Sequence, residues 1–123
     1  MSTNSNIGKI LPDGRIKSIY CHWDGQPSNV GKILKKHYTD ESKIDDLLDL
    51  GSLESLGKKI GTKLNEPTSK DNQCIFYGRD HNLKNTEPKI YNTIESWMNK
   101  PIIKWYYLWN GKEWETYVSK YQY

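Results

Sequence analysis

The 123-residue chain carries a net charge of +3 and has five Trp and nine Tyr, but only one Phe and two Met. We expect a chain of this length to form one domain over residues 1–123, with residues 1–6 frayed. Its positive charge is scattered without a long basic run, which argues against binding of a DNA duplex. No segment has the apolar length of a signal peptide or a membrane span, so we expect a cytoplasmic protein in its host cell.

The aromatic residues are mainly Tyr and Trp, which combine apolar area with a polar group. Such residues are enriched in protein interfaces and in pockets that stack on bases. A core rich in Tyr and Trp is the other interpretation of the same composition. The interface interpretation predicts a homo-oligomer, because a small core can hardly absorb so many large rings and hairpins leave exposed strand edges.

A hairpin is predicted near the start of the chain. Apolar and polar residues alternate over 7–11 and 15–22, and the turn residues Pro12-Asp13-Gly14 join the two segments. Ser28 is then a predicted helix N-cap, because apolar residues follow it at helical spacing as far as Tyr38.

A second helix is predicted over residues 40–50, with acids in its first turn and Gly51 as the residue that ends it. One more short helical turn is expected over 52–57, before a polar stretch over 57–73. The acidic segment 40–50 cannot serve as the recognition helix of a helix-turn-helix protein, since DNA phosphates would repel it.

The second half of the chain contains the clearest hairpin. A short strand over 74–78 and a helix around 92–99 precede it. Strands over 103–109 and 114–118 flank Asn110-Gly111, the strongest signal for a two-residue hairpin turn. The order of elements predicts an α+β fold, in which an antiparallel sheet of two or more hairpins has two to three helices packed on one face.

Candidate binding residues collect at the ends of the predicted strands. Tyr20, His22, Trp23 and Asp24 end the first hairpin, and Arg79, a residue type suited to phosphate, follows the 74–78 strand. We expect the two strand ends to line one pocket, with stacking by Trp23 or Tyr20 and a phosphate held by Arg79. The simpler alternative makes Tyr20 and His22 core residues and Arg79 part of a surface ion pair.

Tyr106 is a further candidate on the last hairpin. It lies on the opposite face of its strand from Trp105, Tyr107 and Trp109. If helices cover the tryptophan face, Tyr106 lies on the open face, where a base or a second subunit could sit.

The pattern predicts no catalytic residue, no metal and no cofactor. His22 and Asp24 share a face only if their strand continues, and Asp24-Gly25 is a good turn. The possible zinc ligands match no compact zinc signature: Cys21, His22, Cys74 and His81. We therefore expect free thiols in a reducing compartment.

Several segments, in order, resemble a widespread family of small phage and prophage proteins. They are Ile19-Tyr20-Cys21-His22-Trp23-Asp24-Gly25, Gly31-Lys32-Ile33-Leu34, His37-Tyr38, Ser52-Leu53, Ser55-Leu56-Gly57 and Tyr77-Gly78-Arg79-Asp80. The resemblance covers residues 7–82, with a looser aromatic hairpin at the C-terminus, and the profile is similar to the anti-CBASS sponge proteins of phages. It implies a homo-oligomeric immune-evasion protein that binds and sequesters a cyclic di- or trinucleotide of host defence without cleaving it.

Two alternatives stay open. A phage inhibitor could bind a host protein directly through a surface rich in Tyr and Trp. A small phosphodiesterase would use His22 in catalysis.

Overall fold

The structure is a computed structural model that describes residues 3–65 and 72–120. Its strands are β1 Ser5–Ile10, β2 Ile16–Cys21, β3 Leu53–Ser55, β4 Ile75–Phe76, β5 Lys89–Tyr91, β6 Trp105–Trp109 and β7 Trp114–Val118. Its helices are α1 Lys32–His37, α2 Glu41–Asp49 and α3 Ile94–Trp97, and a π-helical turn, Pro27–Gly31, leads directly into α1.

The fold is α+β, as predicted, but its single sheet is larger than a set of hairpins and is mixed. The strand order is β4-β3-β2-β1-β6-β7, and β5 pairs with β2. β1 is parallel to β6 and β2 is parallel to β3, whereas the other pairs are antiparallel. Parallel neighbours need a crossover connection, and the segment that holds α1 and α2 supplies it between β2 and β3.

The first face of the sheet is the one that α1 and α2 cover. Ile7 of β1, Ile19 of β2 and Tyr107 of β6 are buried there in one cluster with Leu34 of α1 and Leu47 of α2. Alternate residues of a strand point to opposite faces, so the residues between these strand positions point to the second face.

The second face is covered in part by α3. Trp97 is fully buried there and packs with Ile16, Tyr106 and Leu108. The Trp97 and Tyr106 rings meet edge-on, with centroids 5.2 Å apart, and Trp97 Nε1 donates a hydrogen bond of 2.7 Å to Ser18 Oγ. The prediction of two to three helices on one face thus holds for α1 and α2, whereas α3 packs on the other face.

The acidic residues of α2 pair with lysines of the sheet. Lys9 Nζ lies 2.6 Å from Asp45 Oδ1 and 3.2 Å from Glu41 Oε2, and Lys17 pairs with Asp49. Burial by itself would lower the pKa of Lys9, but its hydrogen bonds to Asp45 and Glu41 raise it. The acidic residues of α2 argued against a role for this helix in DNA recognition. In the structure, Glu41, Asp45 and Asp49 form ion pairs that link the helix to the sheet.

Both ends of α2 agree with the sequence. The Asp40 side chain caps the helix by accepting a hydrogen bond from Ser42 N, and Gly51 adopts a φ of +85° beyond its end. The N-cap predicted at Ser28 is wrong, because the π-helical turn begins at Pro27 and the preceding Gln26 makes no side-chain capping bond. The proline starts this turn without needing a capping side chain.

Two further local predictions are wrong. Residues 53–55 form β3 rather than a helical turn; Leu53 and Leu56 have helical spacing, but pairing with β2 and β4 decides the conformation. Residues 5 and 6 are not frayed but buried in β1, whereas residues 1 and 2 lie outside the described residues. Part of the predicted polar stretch over 57–73 also lies outside them.

The C-terminal hairpin forms, but its turn is longer than predicted. Trp109 pairs with Trp114, so residues 110–113 connect the strands rather than Asn110-Gly111 alone. The Asn110 side chain accepts hydrogen bonds of 2.9 Å from the backbone N–H groups of both Lys112 and Glu113. This side-chain turn replaces the two-residue backbone turn.

We predict that Trp97→Ala lowers the free energy of unfolding by about 3–5 kcal/mol, because it leaves a cavity and removes the partner of Ser18. Urea denaturation measures this change. Val118→Ala is the control, since Val118 is 51% exposed and its loss should cost less than about 0.5 kcal/mol. Equal effects of the two substitutions would show that α3 does not close a core.

Candidate functional site

A cleft of about 420 Å³ opens on the second face, where β2 changes its partner along one edge. Residues 16–18 of β2 pair with β5, whereas Cys21 pairs with β3. Ile19 and Tyr20, between these two pairings, line the cleft together with Ser52, the residue before β3. The cleft thus results from the divergence of two strands, and binding sites are commonly formed at such irregular points of a sheet.

Two lysines and two tyrosines give the cleft its chemical character. Lys89 and Tyr91 enter from β5, Tyr20 enters from β2, and Lys100 enters from the segment after α3. Lys100 Nζ lies 5.2 Å from the centroid of the Tyr91 ring. Burial raises the pKa of both Tyr20 and Tyr91, so both hydroxyls keep their protons at neutral pH.

Polar side chains complete the lining. Asn6 and Ser18 are buried on β1 and β2, whereas Asn85 and Glu87 are exposed on the loop before β5. Among the described lining residues Glu87 is the one acidic residue, so these residues together carry a net charge of +1. The set combines ring faces, cations and hydrogen-bonding groups, which is a composition suited to a polar, anionic ligand with planar groups.

The loop that carries Asn85 and Glu87 is held by close backbone contacts. Ser52 N donates a hydrogen bond of 2.8 Å to Thr86 O. A side chain at Gly51 would collide with this same carbonyl, and a Cβ at Gly78 would lie 2.7 Å from Thr86 Oγ1. Two glycines therefore allow the loop to pack against β3 and β4, and this packing fixes one wall of the cleft.

Tyr20, His22 and Trp23 lie together at and just after the end of β2. The Tyr20 hydroxyl and His22 Nδ1 are 2.7 Å apart, at hydrogen-bond distance. The His22 and Trp23 rings meet edge-on with centroids 4.6 Å apart, and Trp23 is 43% exposed. Only Tyr20 of the three lines the cleft, while His22 contacts its hydroxyl from outside the lining.

Asp24 has a conformational role in the structure. Its φ is +55°, and its carbonyl accepts hydrogen bonds from Val30 N and Asn29 Nδ2. β2 ends at Cys21, so the condition under which His22 and Asp24 would share a strand face is not met. The Asp24 backbone organises the turn into the π-helical segment, and its side chain is exposed.

Arg79 is engaged within the protein. Its guanidinium donates to both Asp80 oxygens at 3.1 and 3.2 Å, and to the carbonyls of Ile60, Gly61 and Cys74 at 3.0–3.2 Å. A guanidinium has five N–H groups, and these five contacts use all of them. The pocket wall expected between the first hairpin and Arg79 is not part of the cleft, and a phosphate would have to displace these bonds.

Asp80 is the buried partner of Arg79. Its oxygens also accept hydrogen bonds from Phe76 N at 2.8 Å and Leu64 N at 2.9 Å. Burial alone would raise the pKa of Asp80, but the Arg79 contact and the two backbone N–H groups lower it below its usual value. The pair connects the loop before residue 65 to the end of β4.

Tyr106 is fully buried, which corrects the expectation that it lies on an open face. The helices α1 and α2 do cover the side of Tyr107 and Trp109, but α3 covers the side of Tyr106 through Trp97. The Tyr106 hydroxyl donates a hydrogen bond of 3.2 Å to Lys100 O. Tyr106 thus contacts the backbone of a cleft residue rather than the cleft itself.

The two thiols and the His22 imidazole lie on opposite faces of the sheet. Cys21 and Cys74 are free and buried in the first-face core, whereas His22 contacts Tyr20 on the second face. Burial, the largest effect, raises the pKa of Cys21 to about 12. Within residues 3–65 and 72–120, no group of three His, Cys, Asp or Glu residues could hold a metal ion. No helix in these ranges is long and apolar enough to cross a membrane.

Sequence reasoning missed most of the cleft. The sequence does not predict Glu87, Lys89, Tyr91 or Lys100 as lining residues, because β5 has only three residues, too few for a clear strand pattern. Pro88 followed by a polar–apolar–polar triplet was the available signal for a short strand.

Comparison of the chain with protein-family models, with curated proteins and with solved structures finds no match. The resemblance to phage sponge proteins therefore stays a prediction.

We predict that Asp80→Asn lowers the free energy of unfolding at pH 7 by about 3–5 kcal/mol, because it leaves the Arg79 charge without its partner. The folded-state pKa of Asp80 lies below its unfolded value of about 3.9. The carboxylate therefore stabilises the fold above that value, and its contribution is lost as the pH falls through the folded-state pKa. Denaturation of both proteins between pH 7 and pH 2 should show their difference shrinking below pH 4; a constant difference contradicts the assignment.

Proposed function

We propose that the protein binds and sequesters a cyclic di- or trinucleotide without cleaving it, in the cleft beside Tyr20. In a host cell this would make it a phage immune-evasion protein that removes a defence signal. The observation that carries the proposal is the presence of two lysines and two tyrosines in the lining of one cleft.

The lysines are available to a ligand. Lys89 and Lys100 line the cleft, and neither forms an ion pair with a described residue. Lysines beside neutral hydrogen-bonding groups suit a phosphate, because charge-assisted hydrogen bonds to phosphate oxygens are strong. The Ser18, Ser52 and Asn6 side chains provide such neutral polar groups on the adjoining strands.

The tyrosines supply ring faces for a base. Tyr20 comes from the middle of the sheet and Tyr91 from its edge, and both are half-buried. Stacking on an aromatic side chain is tolerant of base identity and contributes about 1–3 kcal/mol per base. The described residues of the cleft lining include no histidine or cysteine, so they offer neither residue type as a general base or a nucleophile.

One experiment distinguishes sequestration of the nucleotide from its enzymatic conversion. A thermal-shift screen over cyclic di- and trinucleotides should find a ligand that raises Tm, since a ligand at 100 times its Kd adds about 2.7 kcal/mol to the free energy of unfolding. The complex is then heated, and the released nucleotide is identified by chromatography. Intact nucleotide supports sequestration, whereas conversion of more than one equivalent would show an enzyme instead.

We predict that Lys89→Ala and Lys100→Ala each weaken nucleotide binding by roughly tenfold to a hundredfold, the loss expected for one charge-assisted contact. Tm without ligand should stay close to that of the unsubstituted protein. Lys112→Ala is the matched control, because Lys112 is exposed in the β6–β7 turn and lies outside the cleft lining. Full affinity in both cleft variants would place the binding site elsewhere.

A second candidate function is direct inhibition of a host protein, and exposed Trp23 favours it. Tryptophan is enriched at the centres of protein interfaces. The Trp23 ring contacts His22 edge-on, and the residue remains 43% exposed to solvent. The Trp23→Ala variant distinguishes the two functions. Loss of inhibition in cells with unchanged nucleotide affinity would identify a protein target.

A further inference from the structure

Glu87 places a negative charge in a cleft proposed to bind phosphates, and the binding of phosphates does not explain its presence there. It is exposed, it lines the same cleft as Lys89 and Lys100, and it forms no ion pair with a described residue. A carboxylate repels a phosphate, so a site that needed only to hold phosphates would be better without it.

The position of Glu87 is well defined. It follows Thr86, whose carbonyl accepts the hydrogen bond from Ser52 N and packs against Gly51. Pro88 follows it and restricts the backbone, and β5 then pairs Lys89 with Ser18. The backbone at Glu87 is thus held on both sides while its side chain is exposed, an arrangement suited to a specific contact with a ligand.

The charges of the lining require a ligand with two different ends. Phosphates belong near the lysines, and the end beside Glu87 must present hydrogen-bond donors. Asn85, the neighbouring lining residue, adopts a φ of +61° and brings an amide to the same wall. The ribose 2′-hydroxyl offers a single donor, whereas a bidentate contact with both oxygens of one carboxylate needs two adjacent donors, which the base edge supplies.

Guanine is the common base whose Watson–Crick edge offers two adjacent donors, N1–H and the 2-amino group, to the two oxygens of one carboxylate. Adenine and cytosine each offer an amino group beside a ring-nitrogen acceptor, which a carboxylate cannot satisfy. Uracil and thymine offer a single N–H between two carbonyls. The pattern of donors, rather than stacking, would thus set the base preference of this cleft.

We propose that Glu87 selects guanine, so that the sequestered signal is a guanine-containing cyclic nucleotide. This inference rests on the proposed function, and it adds the identity of the base to it. One base would place its Watson–Crick edge against the Glu87 carboxylate, while the phosphates lie towards Lys89 and Lys100.

The test is isothermal titration calorimetry with cyclic di-GMP and cyclic di-AMP on the full chain and on Glu87→Gln. The unsubstituted protein should bind cyclic di-GMP roughly tenfold to a hundredfold more tightly, as expected for one bidentate base contact. Glutamine offers one acceptor and one donor, which suits adenine better than guanine. The substitution should therefore abolish or reverse the preference, with weaker binding of cyclic di-GMP and tighter binding of cyclic di-AMP.

Glu95→Gln is the matched control, because Glu95 is exposed on α3 outside the cleft lining and should leave the ratio of affinities unchanged. Equal affinity of the unsubstituted protein for both dinucleotides would overturn the selection of guanine and leave the proposed function intact. A preference for cyclic di-GMP that persists in Glu87→Gln would overturn the role of Glu87. Absence of binding by any cyclic nucleotide would overturn both proposals.

Discussion

Hydrogen bonds from buried tyrosine and tryptophan side chains to loop carbonyls hold this structure together. Tyr38 donates from the first-face core to Gly57 O at 2.8 Å, and Tyr107 donates to Gly25 O at 2.6 Å. Trp114 Nε1 donates in the same way to the carbonyl of Tyr38 at 2.8 Å. A buried carbonyl without a partner costs free energy, so each ring both fills the core and satisfies a connecting segment. Phenylalanine could do only the first, which explains the unusual balance of aromatic residues.

The same kind of interaction positions the cleft. Trp97 binds the hydroxyl of Ser18, and Tyr106 binds the carbonyl of Lys100, so two buried rings fix two parts of the cleft wall. The core absorbs seven of the thirteen described aromatic residues, and the homo-oligomer suggested by composition stays a prediction. Among the described aromatic residues, Trp23 stands out by its exposure.

The sequence predicted much of the fold but little of the cleft. Period-two alternation found β1, β2, β6 and β7, because both members of each hairpin are adjacent in the chain. It also identified Tyr20 and its neighbour His22, which a strand end brings together. It could not find Glu87 or Lys89, because a three-residue strand has too little pattern and its partner β2 is some seventy residues earlier. Arg79 looked available for a phosphate, since a sequence does not show which carbonyls surround a guanidinium.

By itself the sequence determined the fold class, the caps of α2 and the strands of both hairpins, because each depends on residues close together in the chain. The tertiary structure decided which strands are parallel, which face α3 covers and where β2 leaves β5 for β3. It also decided the roles of the aromatic residues, which depend on partners far away in sequence. The type of a residue determines which groups its side chain can bind. Only tertiary packing determines whether those groups belong to the protein itself or to a ligand. This is why Arg79 binds the protein's own carbonyls, whereas Glu87, Lys89 and Lys100 face a cleft.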